Sequence, residues 1–281
     1  MNLWQLKNEL TARLQDACVD APALQARLVL EKVLSMSAFE MTLQKDRIVT
    51  EEEVAQIEAM AKRIESGEPV QYVLGQQQFL DLMLHVEPGV LIPRSETEEL
   101  ADHAANLLNQ MAGTPRALDL CTGSGAIALA LKHRVPKADV TASDLSDDAL
   151  AIAKGNAQML GLDVAFVKSD LFQNIEDIFD MIVSNPPYIP TSDCLQLDRN
   201  VRDYEPMMAL DGGRDGLDFY RAIAKEAPKH LRADGYLMLE VGFDQSDDVM
   251  ALLQDEFSHI HVLRDMQDIS RMVIARKKVD A

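Results

Sequence analysis

Four consecutive residues form the segment of this sequence best suited to hold a planar polar group. Asn185, Pro186, Pro187 and Tyr188 follow an apolar stretch, 179–184, that predicts a buried β-strand. Two adjacent prolines lack N–H donors and fix φ, so they form a rigid corner rich in carbonyl groups. The asparagine oxygen and a fixed backbone carbonyl can together accept both hydrogens of an NH₂ group. We call these four residues the proline corner and predict that they bind substrate and carry catalysis. A stiff strand exit without chemistry is the alternative.

A turn between a predicted strand, 117–121, and a predicted helix, 126–133, is a candidate cofactor site. We call it the glycine loop, and it consists of Cys121, Thr122, Gly123, Ser124 and Gly125. Glycines allow a sharp turn and a close ligand approach, and the following helix offers unpaired N–H groups at its N-terminus. An ordinary strand–helix turn could have the same residues, since the first glycine of the dinucleotide fingerprint is missing.

Two carboxylates at predicted strand ends extend this candidate site. Asp144 lies about 20 residues beyond the glycine loop, where an acidic residue can bind a ribose diol. It could instead cap the next helix, although Ser146 suits that role well. Asp170 and Leu171 follow the next strand and could flank an adenine ring, or could be a turn residue and a core residue. The glycine loop and Asp144 together favour a nucleoside-containing cofactor, but they do not distinguish NAD from S-adenosylmethionine.

Alternating strands and helices from residue 116 onward are expected to position these residues. The predicted strands are 117–121, 139–143, 164–168, 179–184, 236–241, 259–263 and 271–276, and the predicted helices between them are 126–133, 146–160 and 217–231. Such alternation is typical of an α/β domain with a mostly parallel, Rossmann-like sheet and helices on both faces. Ligands of such sheets bind at the carboxyl ends of the strands, which is where the proline corner and the glycine loop fall.

The first part of the chain has a different pattern. Leu3, Leu6, Leu10 and Leu14 recur at helical spacing, and further helices are predicted at 23–34 and from Thr50 to the breaker Gly67. Apolar residues between Phe79 and Val86 suggest short strands, and with a turn at Pro88-Gly89 they predict a β-hairpin before a helix at 96–111. The predicted domains are therefore a helical domain (1–68), a β-hairpin linker (69–95) and the α/β domain (96–281).

Composition narrows the possible partners. The 281 residues carry 46 acidic and 27 basic side chains, a net charge of −19, which disfavours direct nucleic-acid binding and suits a basic protein partner. The three cysteines form no pair with metal-ligand or disulfide spacing, so neither a metal site nor an oxidising compartment is expected. No apolar run is long enough to cross a bilayer, and we therefore expect a cytoplasmic protein that does not associate with membranes.

Several segments together resemble the release factor glutamine methyltransferase family, called HemK or PrmC. Residues 185–188 look like the (N/D)PPY motif of methyltransferases that act on amide or exocyclic amino nitrogens, and 119–125 are similar to their cofactor loop. The resemblance continues in segments 69–75, 91–98, 119–131, 182–189, 204–206, 209–210, 212–218, 240–242 and 271–273. It therefore runs from the predicted linker almost to the C-terminus.

The resemblance implies a class I methyltransferase that uses S-adenosylmethionine. Its expected substrate is the glutamine of the Gly-Gly-Gln (GGQ) motif in bacterial class 1 release factors, methylated on N5. Residues 121–125 with Asp144, Asp170, Leu171 and Asn185 would bind the cofactor. The proline corner would bind the glutamine, the helical domain would dock the release factor, and the enzyme would act as a monomer.

Three positions depart from the family pattern, and two other substrates stay open. Cys121 stands where the family usually has glycine, Ser95 where it often has proline, and Leu171 where some members have an aromatic residue. Cysteine is small, so the loop is expected to survive. The alternative substrates are a ribosomal-protein glutamine and, less in keeping with the net charge, adenine N6 in nucleic acid.

Overall fold

The computed structural model describes residues 1–279; Asp280 and Ala281, the end of the predicted domain 96–281, lie outside the described residues. The chain separates into two compact units. Met1–Gln76 and Asp198–Tyr204 form the first unit, and Gln77–Leu197 with the chain from Glu205 onward forms the second.

The order of elements along the chain follows the expected change from helices to alternating strands and helices. The helices are α1 (Leu3–Asp16), α2 (Pro22–Leu34), α3 (Ala38–Leu43), α4 (Glu51–Glu65), α5 (Val70–Leu74), α6 (Ser95–Gln110), α7 (Ala126–Arg134), α8 (Asp147–Leu160), α9 (Thr191–Cys194), α10 (Arg199–Arg202), α11 (Asp218–His230) and α12 (Ser246–Leu253), with a 3₁₀ turn at Met207–Ala209. The strands are β1 (Gln76–Phe79), β2 (Leu82–His85), β3 (Arg116–Leu120), β4 (Asp139–Asp144), β5 (Ala165–Lys168), β6 (Phe179–Ser184), β7 (Leu231–Glu240), β8 (Phe257–Arg264) and β9 (Ser270–Lys277).

Helix capping and leucine spacing explain where the helices of the first unit begin and which of their faces are buried. The four leucines of α1 are all buried in the helical core, as their spacing predicts. Thr50 caps α4 by accepting a hydrogen bond from the Glu53 N–H, which confirms the predicted helix start. The short segment 198–204 joins this unit, where the Tyr204 hydroxyl donates to the Ser66 carbonyl at 3.3 Å.

The predicted β-hairpin segment, 69–95, is a hairpin only in its centre. Val70–Leu74, which the sequence placed in the β-hairpin linker, is helical. The reason is visible in the spacing, because Val70, Val73 and Leu74 lie on one helical face and are buried in the core of the first unit. Gly75, in a left-handed conformation at φ 67°, ends this helix. The hairpin itself pairs β1 with β2 and turns at Leu80-Asp81, so the predicted Pro88-Gly89 turn follows the hairpin and does not close it.

A seven-stranded sheet forms the centre of the second unit, in the order β5-β4-β3-β6-β7-β9-β8. Strands β3 to β7 pair in parallel, and β9 runs antiparallel to both β7 and β8. The predicted mostly parallel sheet is therefore confirmed. Two buried apolar clusters account for its stability, one containing α6 and α7 residues and the other containing α11 and α12 residues.

Strand order places the two candidate segments side by side. The chain leaves β3 toward β4 on one side, and later returns to place β6 on the other side of β3. Such a reversal opens a crevice at the carboxyl ends of the strands. The glycine loop follows β3 and the proline corner follows β6, so both border this crevice. Across residues 1–279, no helix combines the length and apolar composition that bilayer crossing requires.

Candidate active site

A cavity of about 350 Å³ in the second unit contains most of the predicted site residues. Its size falls in the range of pockets for small molecules. The predicted residues that line it are Cys121, Thr122, Gly123, Ser124, Asp144, Asp170, Leu171, Asn185 and Pro187. Of the other predicted residues, Gly125, Pro186 and Tyr188 are not part of its lining. The structure therefore brings four of the five glycine-loop residues, both carboxylates and two of the four residues of the proline corner to one cavity.

The glycine loop is held by a buried carboxylate beneath it. Asp119 Oδ2 accepts from the Thr122 hydroxyl at 2.5 Å and from the Ala128 N–H at 2.9 Å, so it ties the loop to the first turn of α7. Burial raises the pKa of Asp119 to about 7. Cys121 has a φ of 62°, in the left-handed region where a side chain costs free energy. A glycine would carry no such cost there.

Asp144 is fixed by backbone donors on both of its oxygens. Oδ2 accepts from the Gly123 N–H and Oδ1 from the Ser146 N–H, each at 2.9 Å. A carboxylate oxygen can accept more than one hydrogen bond, so Asp144 retains acceptor capacity for a diol in the cavity. Ser146 caps α8 by accepting from the Ala149 N–H, and Asp144 is therefore not needed for that role.

The charge of the cavity separates the two cofactor classes that the sequence left open. Asp144, Asp170 and Asp211 line it, and none of its described lining residues is lysine or arginine. Three carboxylates without a cationic partner repel the diphosphate of a dinucleotide. They attract a ligand with a positive centre. The lining favours the sulfonium cofactor over NAD.

The proline corner is held by side chains from distant elements. Asn185 Nδ2 donates to the hydroxyl of Thr97 on α6 at 3.1 Å, and that hydroxyl donates to Glu240 Oε2 at the end of β7 at 2.6 Å. The Tyr188 hydroxyl lies 3.5 Å from the other Glu240 oxygen. Because its nitrogen is engaged by Thr97, Asn185 has its side-chain oxygen left for the cavity that it lines.

Two family models match the chain in agreement with this architecture. The methyltransferase small domain matches residues 89–196, and the PrmC N-terminal domain matches residues 5–75. A release factor glutamine methyltransferase from Agrobacterium fabrum is 42% identical over 94% of both chains. Another, from Geobacter sulfurreducens, is 38% identical over 92% of this chain and 90% of its own. The chain belongs to the release factor glutamine methyltransferase family.

The fold also matches that of a methyltransferase of known structure from Pyrococcus furiosus. The TM-score is 0.55 at 17% identity, over 82% of this chain and all of the other. The family and the Rossmann-like fold expected from the sequence are thus confirmed. The chain is an S-adenosylmethionine-dependent methyltransferase, and the acidic cavity with its diol acceptor fits that cofactor.

The backbone of the proline corner is supported by a glycine-rich segment of this methyltransferase. The Ile189 N–H donates to the Leu210 carbonyl at 3.0 Å, and the Gly212 N–H donates to the Ile189 carbonyl at 2.8 Å. A Cβ on Gly212 would lie 2.7 Å from Tyr188 Cα, which is too close for any side chain. Gln245 Nε2 donates to the Tyr188 carbonyl at 2.9 Å. These contacts fix the corner from behind.

Burial and charge keep Tyr188 neutral. Burial, followed by the nearby Glu240 carboxylate, raises the pKa of the Tyr188 hydroxyl. The phenol therefore remains a hydrogen-bond donor at neutral pH and does not act as a base. Tyr188 itself does not line the cavity.

Several residues of the site were not predicted from the sequence. Thr97 and Glu240 lie in segments that resemble the family, but neither carries a local signal for its role. Met207 and Met208 line the cavity from the 3₁₀ turn, and both are partly exposed. Arg94, whose role the sequence left open, pairs with buried Glu205 at 2.5 Å just before that turn.

Proposed function

We propose that this enzyme transfers a methyl group from S-adenosylmethionine to the N5 nitrogen of a glutamine, the one in the GGQ motif of bacterial class 1 release factors. The observation that carries the proposal is the orientation of Asn185. Its NH₂ group is engaged by Thr97, so its oxygen can accept a hydrogen from a substrate amide. Relatives in the family to which the chain belongs are named release factor glutamine methyltransferases.

The residues that would hold the cofactor divide by the chemistry of its parts. The backbone of residues 121–125 and the N-terminus of α7 would contact its amino acid end. Asp144 would bind the ribose hydroxyls, while Asp170 and Leu171 would flank the adenine. Asn185 lines the same cavity and would border the reactive end. When bound, the cofactor supplies a methyl group already activated by a positive sulfur.

What this chain must add is alignment, because an amide nitrogen is a weak nucleophile. We propose that Asn185 Oδ1 and the Pro186 carbonyl accept the two hydrogens of the glutamine NH₂ group. Both acceptors would also stabilise the positive charge that develops on nitrogen. Pro187, which lines the cavity, would pack beside the glutamine side chain, and Tyr188 would support the corner from outside the cavity lining. Holding reactants in line can account for several kcal/mol of the barrier, and the nitrogen then loses its proton to solvent without a strong base.

The direct test uses methyl-labelled S-adenosylmethionine and a class 1 release factor. We expect label on the wild-type factor and none on a variant whose GGQ motif is changed to GGA. Label on both factors would place the modification at another residue. Label on neither, with cofactor binding demonstrated by calorimetry, would direct the search to ribosomal-protein glutamines and then to adenine.

We propose that the helical domain, 1–68, docks the release factor. Its support is the exposure of large apolar side chains in the first unit, including Phe39 at 71% and Leu43 at 69% on α3. Changing both to serine should weaken release factor binding and leave cofactor binding unchanged. Met159, 59% exposed on α8, offers a control for the same chemical change in the second unit. Unchanged release factor affinity in the Phe39/Leu43 variant would contradict the docking role of this surface.

The proposal extends to assembly and location. We propose that the enzyme acts as a monomer, in the cytoplasm, where release factors work, and without direct contact to nucleic acid or membrane. The net charge of −19 supports a protein substrate over a polyanion. Light scattering during gel filtration, with and without the release factor, measures the stoichiometry; a stable dimer of the free enzyme would contradict it.

A further inference from the structure

We infer that Thr97 and Glu240 are positioning residues that set which end of the Asn185 amide faces the substrate. The inference rests on the proposed function and extends it to two residues that do not touch the reacting atoms. Its basis is the directional chain of hydrogen bonds from Asn185 Nδ2 through the Thr97 hydroxyl to the Glu240 carboxylate.

The direction of this chain follows from the number of protons available. A threonine hydroxyl has one proton to donate. An ionised carboxylate can only accept, so that proton points to Glu240 Oε2, and the Thr97 oxygen is left as an acceptor. Asn185 can satisfy an acceptor only with its NH₂ group. Its oxygen is thereby turned away from Thr97, toward the cavity that Asn185 lines.

A proton on Glu240 Oε2 would permit the opposite arrangement. Glu240 could then donate to Thr97, and the Thr97 hydroxyl could donate to Asn185, whose amide would have to turn its oxygen inward. The NH₂ group of Asn185 would then face the cavity and repel the NH₂ group of a substrate. Catalysis therefore requires ionised Glu240.

Groups from α6, β9, α11 and the proline corner act on Glu240 besides Thr97. Burial raises its pKa to about 7, and the carboxylate of Glu96 on α6 adds to that increase. Arg271 on β9 and the Tyr188 hydroxyl act in the opposite direction. The Tyr220 hydroxyl from α11 donates to the Glu240 backbone carbonyl at 2.8 Å and holds the strand end in place. Ionisation of Glu240 thus falls within the range of an ordinary pH profile.

The first test compares turnover in full-length variants. Thr97→Val removes the hydroxyl at nearly constant volume and should lower kcat about tenfold, the worth of one hydrogen bond. Thr97→Ser restores the hydroxyl and should recover most of the turnover. Thr141→Val, on β4 outside the cavity lining, controls for the loss of a buried threonine hydroxyl. Thermal unfolding and cofactor titration of each variant separate misfolding from misorientation.

The pH dependence gives the second measurement. In the wild type, kcat should rise with pH through about 7 as Glu240 ionises. Glu240→Gln cannot ionise, so its lower kcat should lack this step. A Thr97→Val enzyme with wild-type kcat, or a Glu240→Gln enzyme that keeps the step, would overturn the inference.

A measurement without substrate separates this inference from the proposed function. The side-chain NH₂ resonances of Asn185, identified by their loss in Asn185→Ala, should shift with pH through about 7 in the wild type and not in Glu240→Gln. Resonances that do not respond in the wild type would contradict the coupling. If they respond while no release factor is labelled, the proposed substrate is wrong and the positioning of Asn185 stands.

Discussion

The glycine loop and the proline corner end adjacent strands of one sheet, but they are held in place in different ways. Hydrogen bonds that hold the loop join residues 3, 9 and 21 positions apart in the sequence. Those that orient the corner join residues 88 and 143 positions apart. The loop is therefore a local structure that a short motif can specify. The corner acquires its orientation only when α6 and β7 bring Thr97 and Glu240 to it.

Replacing Asn185 by alanine should have the largest effect and should separate the two regions functionally. Loss of an oriented acceptor should lower kcat about a hundredfold or more, while cofactor affinity should change little because the glycine loop is intact. Label transfer and calorimetry measure the two quantities. Asn106→Ala, at an exposed position of α6, is the control. Equal losses of turnover and cofactor affinity would mean that the corner and the loop are not separate.

The pH dependence of stability should reveal one buried carboxylate in each region. The folded-state pKa values of Asp119, which holds the loop, and of Glu240, which orients the corner, are both raised to about 7. Their stabilising effect is complete below the unfolded pKa, near 4, and is lost as pH rises through about 7. The free energy of unfolding should therefore fall by a few kcal/mol between about pH 4 and pH 8. Urea unfolding measures it.

Urea unfolding of variants shows how much of the pH dependence of stability comes from Asp119 and how much from Glu240. Asp119→Asn and Glu240→Gln should each remove part of the pH dependence, and the double variant should remove most of it. A wild-type stability that rises from pH 5 to pH 8 would contradict this assignment for both carboxylates.

Adding a methyl group to a glycine should disturb the corner more than the loop. In Gly212→Ala the new Cβ would meet Tyr188 Cα at 2.7 Å and the Pro187 carbonyl oxygen at 2.9 Å, so the corner must shift. A loss of about 3 kcal/mol in unfolding free energy is expected, together with a loss of turnover. Gly123→Ala meets nothing within 4 Å and should cost only about 1 kcal/mol, for its φ of 54°. Similar losses from both variants would weaken the distinction between the two regions.

The smallest expected effect concerns Cys121 in the loop. Replacing this left-handed residue by glycine should raise the free energy of unfolding by about 0.5–1 kcal/mol, since relief of strain exceeds the added freedom of the unfolded chain. Cys18→Gly is a matched variant, because Cys18 has a φ of 57° and is exposed in the first unit. Destabilisation in Cys121→Gly alone would show that its packing outweighs its backbone strain.

The extent to which the sequence predicted the structure follows the same division. Alternating apolar stretches predicted the strands of the sheet. The predicted strand 179–184, for example, is β6, Phe179–Ser184. The spacing of the glycine loop and Asp144 placed both at one cavity. The sequence placed Val70–Leu74 in the β-hairpin linker without predicting its helix, because one short turn carries little local signal and forms by packing in the first unit.

The sequence was enough to predict the family, through the motifs that resemble it, and the parallel sheet with the residues at its strand ends, through local patterns of apolar, glycine and proline residues. It could not determine the direction of the Asn185 amide or the acidity of Glu240. An amide has two nearly equal orientations, and a carboxylate titrates according to its burial. The orientation of the Asn185 amide and the pKa of Glu240 depend on the folded chain, since folding brings Thr97, Asn185 and Glu240 into contact.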